Sequence, residues 1–375
     1  MSDSRIVDFS PPAQLPGSVL LDESGDPAAI RAALKAQAMV RRFDLASPPP
    51  EPVPRFFING KPWGTPRNLQ SILAQAGTGK TSIISALESA YLCPDGLRSN
   101  RDFLGMSASD MRNLPLLHID TEQSPYDHFM MGKRTLRRAG LDAPPPGFHS
   151  YGLAGFGARD LRQFLKFTLE ELVADAGGVF AVIIDGTADM VTDVNNAEEC
   201  NDLVAELHGL AIKYDTAIIN VIHENPGSDT GKARGHLGSQ LERKAESALR
   251  LKRTDDITVV YGHKMRHAPV YEKDGPRFRW SDAEGMHVSV EAACVAQDEQ
   301  KRAKFYDLAE SVLAHAGKPG LRHGEFLKAI AEFRRIGASA AEDRFTDMKR
   351  FKVIQKNPIS GEWMLTATTV NPVTP

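Results

Sequence analysis

The chain has 375 residues and a mass of 41.0 kDa, with 42% hydrophobic and 25% charged residues. This composition is typical of a folded globular protein and argues against an intrinsically disordered chain. Because 45 Lys and Arg nearly balance 48 Asp and Glu, no global charge indicates a nucleic-acid or membrane partner. The three cysteines, Cys93, Cys200 and Cys294, lie outside any CxxC pattern, which argues against a disulfide scaffold or a zinc knuckle.

The sequence carries no membrane or export signal that composition can identify. No apolar run reaches the roughly 18 residues that a membrane-spanning helix needs. The amino terminus, with Asp3 and Asp8, does not resemble a signal peptide. We therefore expect a soluble protein in a reducing compartment, with a cytoplasmic location.

Residues 1–55 are predicted to be a flexible segment with one helix and a proline-rich linker. The helix spans about Asp26 to Phe43, where Ala, Leu, Arg and Lys dominate. The run Ser47–Pro54 contains five prolines, which remove backbone donors and favour an extended chain. The helix is either a surface helix of a linker or a helix that docks on another subunit.

Residues 56–292 alternate between short apolar runs and amphipathic helical patterns. The candidate strands are Leu69–Ala74, Leu114–Ile119, Phe148–Leu153, Val179–Ile184, Ala217–Ile222, Ala248–Leu251 and Ile257–Tyr261. Helical patterns such as Asp160–Ala174 and Ala197–Lys213 lie between them. This alternation predicts an α/β domain with a largely parallel sheet covered on both faces, and the closely spaced later strands predict antiparallel edge hairpins.

Residues 296–375 form a compositionally distinct segment. They carry 13 Lys and Arg against 10 Asp and Glu, a net charge of +3, whereas the rest of the chain carries −6. Three helices are predicted at about 297–316, 323–333 and 340–351, followed by a hairpin around the turn Asn357–Gly361. This order predicts a winged-helix-like α+β domain. Such domains bind DNA or dock on proteins, and the sequence leaves both functions open.

The strongest motif is the run Leu73–Thr81, Leu-Ala-Gln-Ala-Gly-Thr-Gly-Lys-Thr, between a predicted strand and a predicted helix. In that setting, backbone N–H groups and a helix N-terminus converge on an anion. The strict phosphate-loop pattern has glycine where this chain has Ala74, a position that tolerates a small side chain. The expected nucleotide-binding residues are Ala76, Gly77, Thr78, Gly79, Lys80, Thr81 and Ser82. Lys80 is expected to contact the β- and γ-phosphates, and Thr81 to bind Mg²⁺.

Two acidic residues complete the predicted site. Asp185 ends the apolar strand around Val179–Ile184, as expected of a carboxylate that holds Mg²⁺ through water. Glu122 follows the strand Leu114–Ile119, where its carboxylate can activate water for attack on the γ-phosphate. The alternative for Asp120 or Glu122 is a helix cap in a polar turn.

A catalytic Glu after the second strand, with the Mg²⁺-holding Asp on a later strand, resembles the RecA-like P-loop ATPases. These AAA family ATPases include ring helicases of the DnaB and RepA type, KaiC-type ATPases and recombinases. The resemblance covers about residues 60–270 and is carried by motifs. Ile119–Ser124, Ile183–Gly186 with Asp189, and Ile222–Ser228 are similar to a RepA-like hexameric helicase group common on bacterial mobile elements and prophages.

The resemblance gives further residues a role. His223 ends a strand at the position where ring helicases carry a γ-phosphate sensor. The segment Asn225–Ser239 is rich in glycine and contains Lys232, Arg234 and His236, which suits contact with a single-stranded DNA backbone. The alternatives are a structural histidine and a solvated mobile loop.

The run Gly262–Pro269 resembles the KxR pair that enters the neighbouring subunit's nucleotide site in DnaB-type helicases. The resemblance implies that Arg266 is an arginine finger and Lys264 its companion, acting on a ring, expected to be a hexamer. Arg253 is a rival finger. Either basic group is otherwise a solvated strand end.

Three functions remain in competition at this point. The first is a Mg-ATP-hydrolysing, oligomeric DNA helicase or translocase that replicates a plasmid, phage or mobile element. The second is a KaiC-like or recombination-mediator-like switch whose ATP state gates a protein partner. The third is a winged-helix DNA-binding regulator. Stacking aromatics are scarce in the Asn225–Ser239 segment, and no primase, nuclease or helicase-loader motif is present, so ATP hydrolysis is better supported than unwinding.

Overall fold

The computed structural model describes residues 27–40, 42, 44–111, 113–224 and 235–366, with the side chains of 292–300 left undescribed. The chain divides into two compact units, with the boundary between Ser289 and Val290. None of the helices in these residues has the length and apolar composition that crossing a bilayer requires. The helix predicted near the amino terminus is present as α1 (Pro27–Val40), and its Leu34 and Met39 are exposed.

The first unit combines many short strands with five further helices. Its strands are β1 (Phe56–Ile58), β2 (Lys61–Gly64), β3 (Asn68–Ala74), β4 (Met106–Ala108), β5 (Leu116–Asp120), β6 (Phe148–Gly152), β7 (Ala181–Asp185), β8 (Ala217–His223), β9 (Ser247–Thr254), β10 (Ile257–Lys264), β11 (Arg277–Ser281) and β12 (Met286–Val290). Its helices after α1 are α2 (Lys80–Leu92), α3 (Pro125–Ala139), α4 (Ala158–Ala176), α5 (Ala197–Lys213) and α6 (Gly235–Lys244).

A nine-stranded sheet forms the centre of the first unit, in the order β12-β11-β10-β9-β3-β8-β7-β5-β6. The strands from β9 to β6 in that order are parallel, and β10 pairs antiparallel with both β9 and β11. The predicted α/β fold with a mostly parallel sheet is therefore confirmed. The strand β8 lies between β3 and β7, which separates the phosphate-loop strand from the strand that ends at Asp185.

Helices cover both faces of this sheet. On one face, α2 and α3 enclose a core that includes Ile72, Ile83 and Phe180. On the other face, α4, α5 and α6 enclose a second core that includes Leu165 and Leu203. Since β3, β5, β7 and β8 are parallel, the residues that follow their carboxyl ends meet at one edge.

Several strands of the first unit were not predicted. The strands β1, β2 and β4 form a small antiparallel sheet whose Phe56 and Trp63 are fully buried. These strands have three or four residues each, too few to show a period of two, and β2 contains Pro62. The strands β11 and β12, which extend the central sheet, were missed for the same lack of alternation.

The second unit is smaller and builds its own core. Its elements are α7 (Ala292–Ala316), β13 (Gly320–Leu321), α8 (His323–Arg334), α9 (Ala338–Arg350), β14 (Ile354–Lys356) and β15 (Trp363–Leu365). Buried Phe326, Phe345 and Met348 hold the helices together. The predicted order of three helices and a hairpin is present, with β13 added to give a three-stranded antiparallel sheet β13-β15-β14.

Candidate nucleotide-binding site

The loop between β3 and α2 has the backbone geometry of a phosphate-binding loop. Gly77 and Gly79 have φ angles of +74° and +92°, in the left-handed region that favours glycine. Gly79 directly precedes α2, which begins at Lys80, so the N-terminus of a 13-residue helix opens at the loop. A Cβ atom on Gly79 would also lie 2.8 Å from the Phe278 ring. Both the conformation and the close approach therefore require glycine at this position.

Neighbouring residues hold the loop in this conformation. The Thr78 hydroxyl donates to the Gln75 carbonyl at 2.7 Å, and the Thr258 hydroxyl donates to the Thr78 carbonyl at 2.9 Å. Arg253, at the end of β9, donates to the Gly77 carbonyl at 2.9 Å. The hairpin β9–β10 therefore supports the loop, while Ala76 and Gly77 stay exposed to a ligand.

The two ends of the predicted loop differ in their contacts. Ala74 is the last residue of β3 and is fully buried, which explains why a small side chain is accepted there. The backbone N–H of Ser82 donates to the Gly79 carbonyl, and its hydroxyl lies 2.7 Å from Nδ1 of His287 on β12. Both polar groups of Ser82 therefore have partners within the protein, whereas Lys80 and Thr81 form the first turn of α2.

Three predicted functional side chains converge at the carboxyl edge of the sheet. The Lys80 ammonium lies 2.7 Å from Nε2 of His223 and 3.6 Å from a carboxylate oxygen of Glu122. His223 Nε2 lies 3.1 Å from Oε1 of Glu122. Lys80 comes from α2, Glu122 from the turn after β5, and His223 from the end of β8. The predicted phosphate ligand, water-activating residue and sensor therefore lie in one cluster.

The environment of Glu122 keeps its side chain ionised. The hydrogen bond with His223 lowers the pKa of Glu122, partial burial opposes this effect, and the positive charge of Lys80 lowers the pKa further. The net shift is downward, so Glu122 is a carboxylate at neutral pH. A carboxylate at this position accepts hydrogen bonds from a water molecule and can orient it.

Asp185 is the group best suited to hold a divalent cation. It is 2% exposed, and its Oδ1 has no hydrogen-bond partner among the described residues. Burial raises the pKa of Asp185 to about 6, although nearby Lys80 opposes the shift. A buried carboxylate with a free oxygen is costly unless a cation or a polar ligand satisfies it. Asp185 therefore fits the predicted role of holding Mg²⁺ together with Thr81.

Asp120 lies beside Asp185 but has a different role. The two residues pair across β5 and β7, and with His118 they bring possible ligand atoms within 4.8 Å of one another. The Asp120 carboxylate, however, already accepts from the backbone N–H groups of Glu122 and Gln123, from the Gln123 amide and from His128. Burial works to raise the pKa of Asp120, but the bonds from His128 and Gln123 lower it overall. Asp120 therefore fixes the turn that carries Glu122.

A buried chain of polar contacts connects this turn to α2. His128 lies 3.1 Å from the Ser150 hydroxyl, which lies 3.2 Å from Nδ1 of His118. The same nitrogen lies 2.9 Å from Glu88, a fully buried residue of α2. Burial works to lower the pKa of His118, but Glu88 raises it overall. The phosphate-loop helix and the Glu122 turn are therefore tied through the interior, where such contacts are strong.

We expect Asp120→Asn to reduce ATP turnover by roughly tenfold or more, about 1.4 kcal/mol in activation free energy, with little change in KM for ATP. The amide cannot accept every bond that the carboxylate accepts, so the Glu122 turn loses its fixed position. Steady-state kinetics measure the effect, with Asp160→Asn in the first turn of α4 as the matched control. Equal kcat for Asp120→Asn and wild type would contradict the positioning role.

Lys264 and Arg266 do not join the Lys80 cluster of their own chain. Lys264 pairs across the sheet with Ala248, which pairs with Ser71 in the middle of β3. The Lys264 ammonium donates to three carbonyls at the end of α6, from Glu242, Arg243 and Ala245, at 2.6–3.0 Å.

The expectation that Lys264 is available as a companion of the finger is thereby corrected for this chain. The unpaired carbonyls of a helix C-terminus attract a cation, and Lys264 satisfies those of α6. Arg266 is exposed beyond the end of β10. The rival Arg253, in contrast, contacts its own phosphate loop.

The predicted DNA-contacting residues are divided by the structure. Lys232 and Arg234 lie outside the described residues. His236 lies in the first turn of α6, where its Nε2 is 3.0 Å from the Gln240 amide. The predicted loop Asn225–Ser239 therefore ends earlier, because Gly235 already begins a helix.

Sequence reasoning missed the supporting residues of the site. Buried Glu224 pairs with Arg250 through two contacts of 2.7 and 3.2 Å. These two residues line a cavity of about 350 Å³ beside the phosphate loop, together with residues 75–78 and 251–253. An acidic residue directly after His223 was the available signal for Glu224. Nothing in the sequence pairs it with Arg250, because 25 residues lie between them.

No family model matches the sequence, and no curated protein matches it. The chain is similar to a crystal structure of the RadB recombinase, with 15% identity and a TM-score of 0.39, over 62% of this chain and 95% of that chain. It is also similar to the solved ATPase domain of a helicase, with 14% identity and a TM-score of 0.44, over 71% of this chain and 100% of that chain. TM-scores of this size carry no conclusion about activity, which has to come from the geometry of the site.

Proposed function

We propose that the protein is a RecA-like, Mg-ATP-hydrolysing oligomeric ATPase that acts on DNA as a helicase or translocase. The observation that carries this proposal is the convergence of Lys80, Glu122 and His223 beside a glycine loop that opens a helix. The strand order supports the RecA-like assignment, since β8 with the sensor His223 lies between β3 and β7. The resemblance to RepA-like ATPases adds a place in the replication of a plasmid, phage or mobile element, and a cytoplasmic location.

The chemistry follows from the position of each group. The N–H groups of Gly77–Thr81 and the Lys80 ammonium would bind the triphosphate, since a helix N-terminus and a cation both favour an anion. Thr81 and Asp185 would hold Mg²⁺, which neutralises charge on the phosphates when bound. The ionised Glu122 would orient the attacking water and accept its proton. His223, in contact with both Lys80 and Glu122, would respond when the γ-phosphate leaves.

The cavity beside the loop offers room for the rest of the nucleotide. Its volume is about 350 Å³, and it is open next to the exposed residues Gln75–Gly77. Arg253 lies at this cavity and holds the loop of its own chain. We therefore assign Arg253 to nucleotide binding within the chain rather than to a finger acting on a neighbour.

The finger, in this proposal, is Arg266 acting on a neighbouring copy. Arg266 lies beyond the end of β10 and away from its own Lys80, so it can complete a nucleotide site only between chains. A ring, with six copies as the expected number, would present each Arg266 to the next site. Single-stranded DNA in the centre of the ring is the expected partner.

A mixing experiment tests the finger in trans. Arg266→Ala and Glu122→Gln are each expected to abolish turnover alone. Mixed copies form sites that combine an intact Glu122 on one chain with an intact Arg266 on the next, so ATPase activity should reappear. Activity that stays absent in a mixture shown to co-assemble would contradict an Arg266 finger, as would strong loss of ATP binding by Arg266→Ala.

ATP hydrolysis measured with and without single-stranded DNA tests the function itself. We expect Mg²⁺-dependent turnover that rises several-fold when DNA is added, because a motor couples its nucleotide site to its track. Turnover that ignores DNA would favour the partner-gating switch. An absence of turnover with intact, sequence-specific DNA binding would favour the winged-helix regulator.

A further inference from the structure

The second unit contains a cavity surrounded by positive charge. Its volume is about 450 Å³, and five basic side chains line it, from three different helices. They are Lys301, Lys304, Arg334, Arg344 and Arg350. All five residues are exposed, and Asp347 is the one carboxylate among the residues that line this cavity.

Rigid elements hold these cations in place. On α7, Lys301 and Lys304 share a face with Phe305, since residues three and four apart are neighbours on a helix. On α9, Arg344 shares a face with Phe351, which follows the last turn. The rings of Phe305 and Phe351 stack with centroids 5.4 Å apart and planes at 17°, which joins the two helices. The spacing of the cations is therefore set by packed helices and not by a loop.

The charge of this cavity is largely uncompensated among the described residues of the unit. Arg344 lies 3.9 Å from Asp347, but no carboxylate of the described residues lies within 4.0 Å of Lys301, Lys304, Arg334 or Arg350. Arg334 and Arg350 lie in the last turns of α8 and α9, where the helix dipole favours a cation. That explanation does not extend to Lys301 and Lys304, which lie in the middle of α7. Cations gathered without partners repel each other, and a bound polyanion removes that cost.

We propose that this cavity, bounded by Lys301, Lys304, Arg334, Arg344 and Arg350, binds the phosphate backbone of nucleic acid without reading its sequence. Arginine forks match phosphate oxygens, and several cations along one groove match a run of phosphates. No Asn or Gln side chain lines the cavity to read base edges.

Nucleic acid fits this cavity better than an acidic protein segment. A protein segment normally adds apolar contacts at the centre of its interface. The apolar residues here are already used, since Leu308 is 6% exposed and Phe305 stacks on Phe351. The β14–β15 turn Asn357–Gly361 carries no Lys or Arg, so the positive charge of the unit is concentrated on its helices.

The test uses the full-length chain with four of the cations neutralised: Lys301→Gln, Lys304→Gln, Arg334→Gln and Arg350→Gln. A matched variant removes the same charge elsewhere in the unit: Lys318→Gln, Lys328→Gln, Arg335→Gln and Lys356→Gln. Fluorescence anisotropy with a labelled oligonucleotide, single- or double-stranded, is recorded over a series of salt concentrations. Circular dichroism melting confirms that both variants are folded, and ATP turnover without DNA is expected to equal that of wild type in both.

We expect the cavity variant to bind DNA at least about tenfold more weakly in roughly 0.1 M salt. The slope of log K against log salt should fall by about 3, since each lost phosphate contact contributes about 0.7–0.9. The matched variant should keep most of the wild-type slope. Equal losses in both variants would reduce the effect to net charge and overturn the proposal. Unchanged DNA binding by the cavity variant, with lost binding of a polyglutamate probe, would instead identify an acidic protein as the occupant and also overturn it.

Discussion

Lys80→Ala is expected to abolish ATP turnover, with a loss of at least about 1000-fold, or roughly 4 kcal/mol of activation free energy. Lys80 is buried at the start of α2, and its ammonium lies 2.7 Å from His223 and 3.6 Å from Glu122. Alanine removes the cation that would stabilise charge on the transferring phosphoryl group. The neighbouring Glu122 and Asp185 then repel the triphosphate without compensation, so affinity for ATP should fall as well.

Steady-state turnover and binding of a fluorescent ATP analogue together measure this prediction. Lys328→Ala serves as the matched control, because Lys328 is 78% exposed on α8 of the other unit. The DNA affinity of Lys80→Ala should stay near that of wild type without nucleotide, which separates the nucleotide site from the cation-lined cavity. Turnover within threefold of wild type would contradict the assignment of the phosphate loop.

The sequence was sufficient to predict the parts of the site that depend on local pattern. A glycine run between an apolar strand and a helix defines the phosphate loop, and its position follows from β3 and α2 alone. Glu122, Asp185 and His223 each follow an apolar strand, and parallel strands bring such residues to one edge. The central fold could be predicted for the same reason, since its buried strands are continuous apolar runs.

Contacts between distant, polar or short segments could not be predicted in the same way. His128, Ser150 and Glu88 support the Glu122 turn from three different elements, and no sequence pattern links them. The contact of Lys264 with the end of α6 depends on where β10 ends beside that helix. Arg253 reaches the phosphate loop only because β9 pairs with β3. Such pairings depend on tertiary structure, which one sequence does not reveal by spacing.

Glu122→Gln is expected to reduce the rate of hydrolysis by about 100- to 10,000-fold while ATP binding stays close to that of wild type. Glutamine keeps the size of the side chain and can still contact His223, but it cannot take a proton from water. The lowered pKa of Glu122 means that the wild-type group is ionised at neutral pH, so the substitution removes a full negative charge. Loss of that charge also relieves repulsion of the triphosphate, so affinity for ATP should not decrease.

Single-turnover hydrolysis and size-exclusion chromatography with ATP distinguish this outcome from a misfolded site. The ATP-bound oligomer should persist in Glu122→Gln, since the bound nucleotide is not consumed. Glu170→Gln, on the exposed surface of α4, is the matched control and should hydrolyse ATP at the wild-type rate. If Glu122→Gln hydrolyses ATP normally, water activation has to be assigned to another group. Asp185 would then be the first to test, because its buried carboxylate, with an unpaired oxygen and a pKa raised to about 6, could accept a proton.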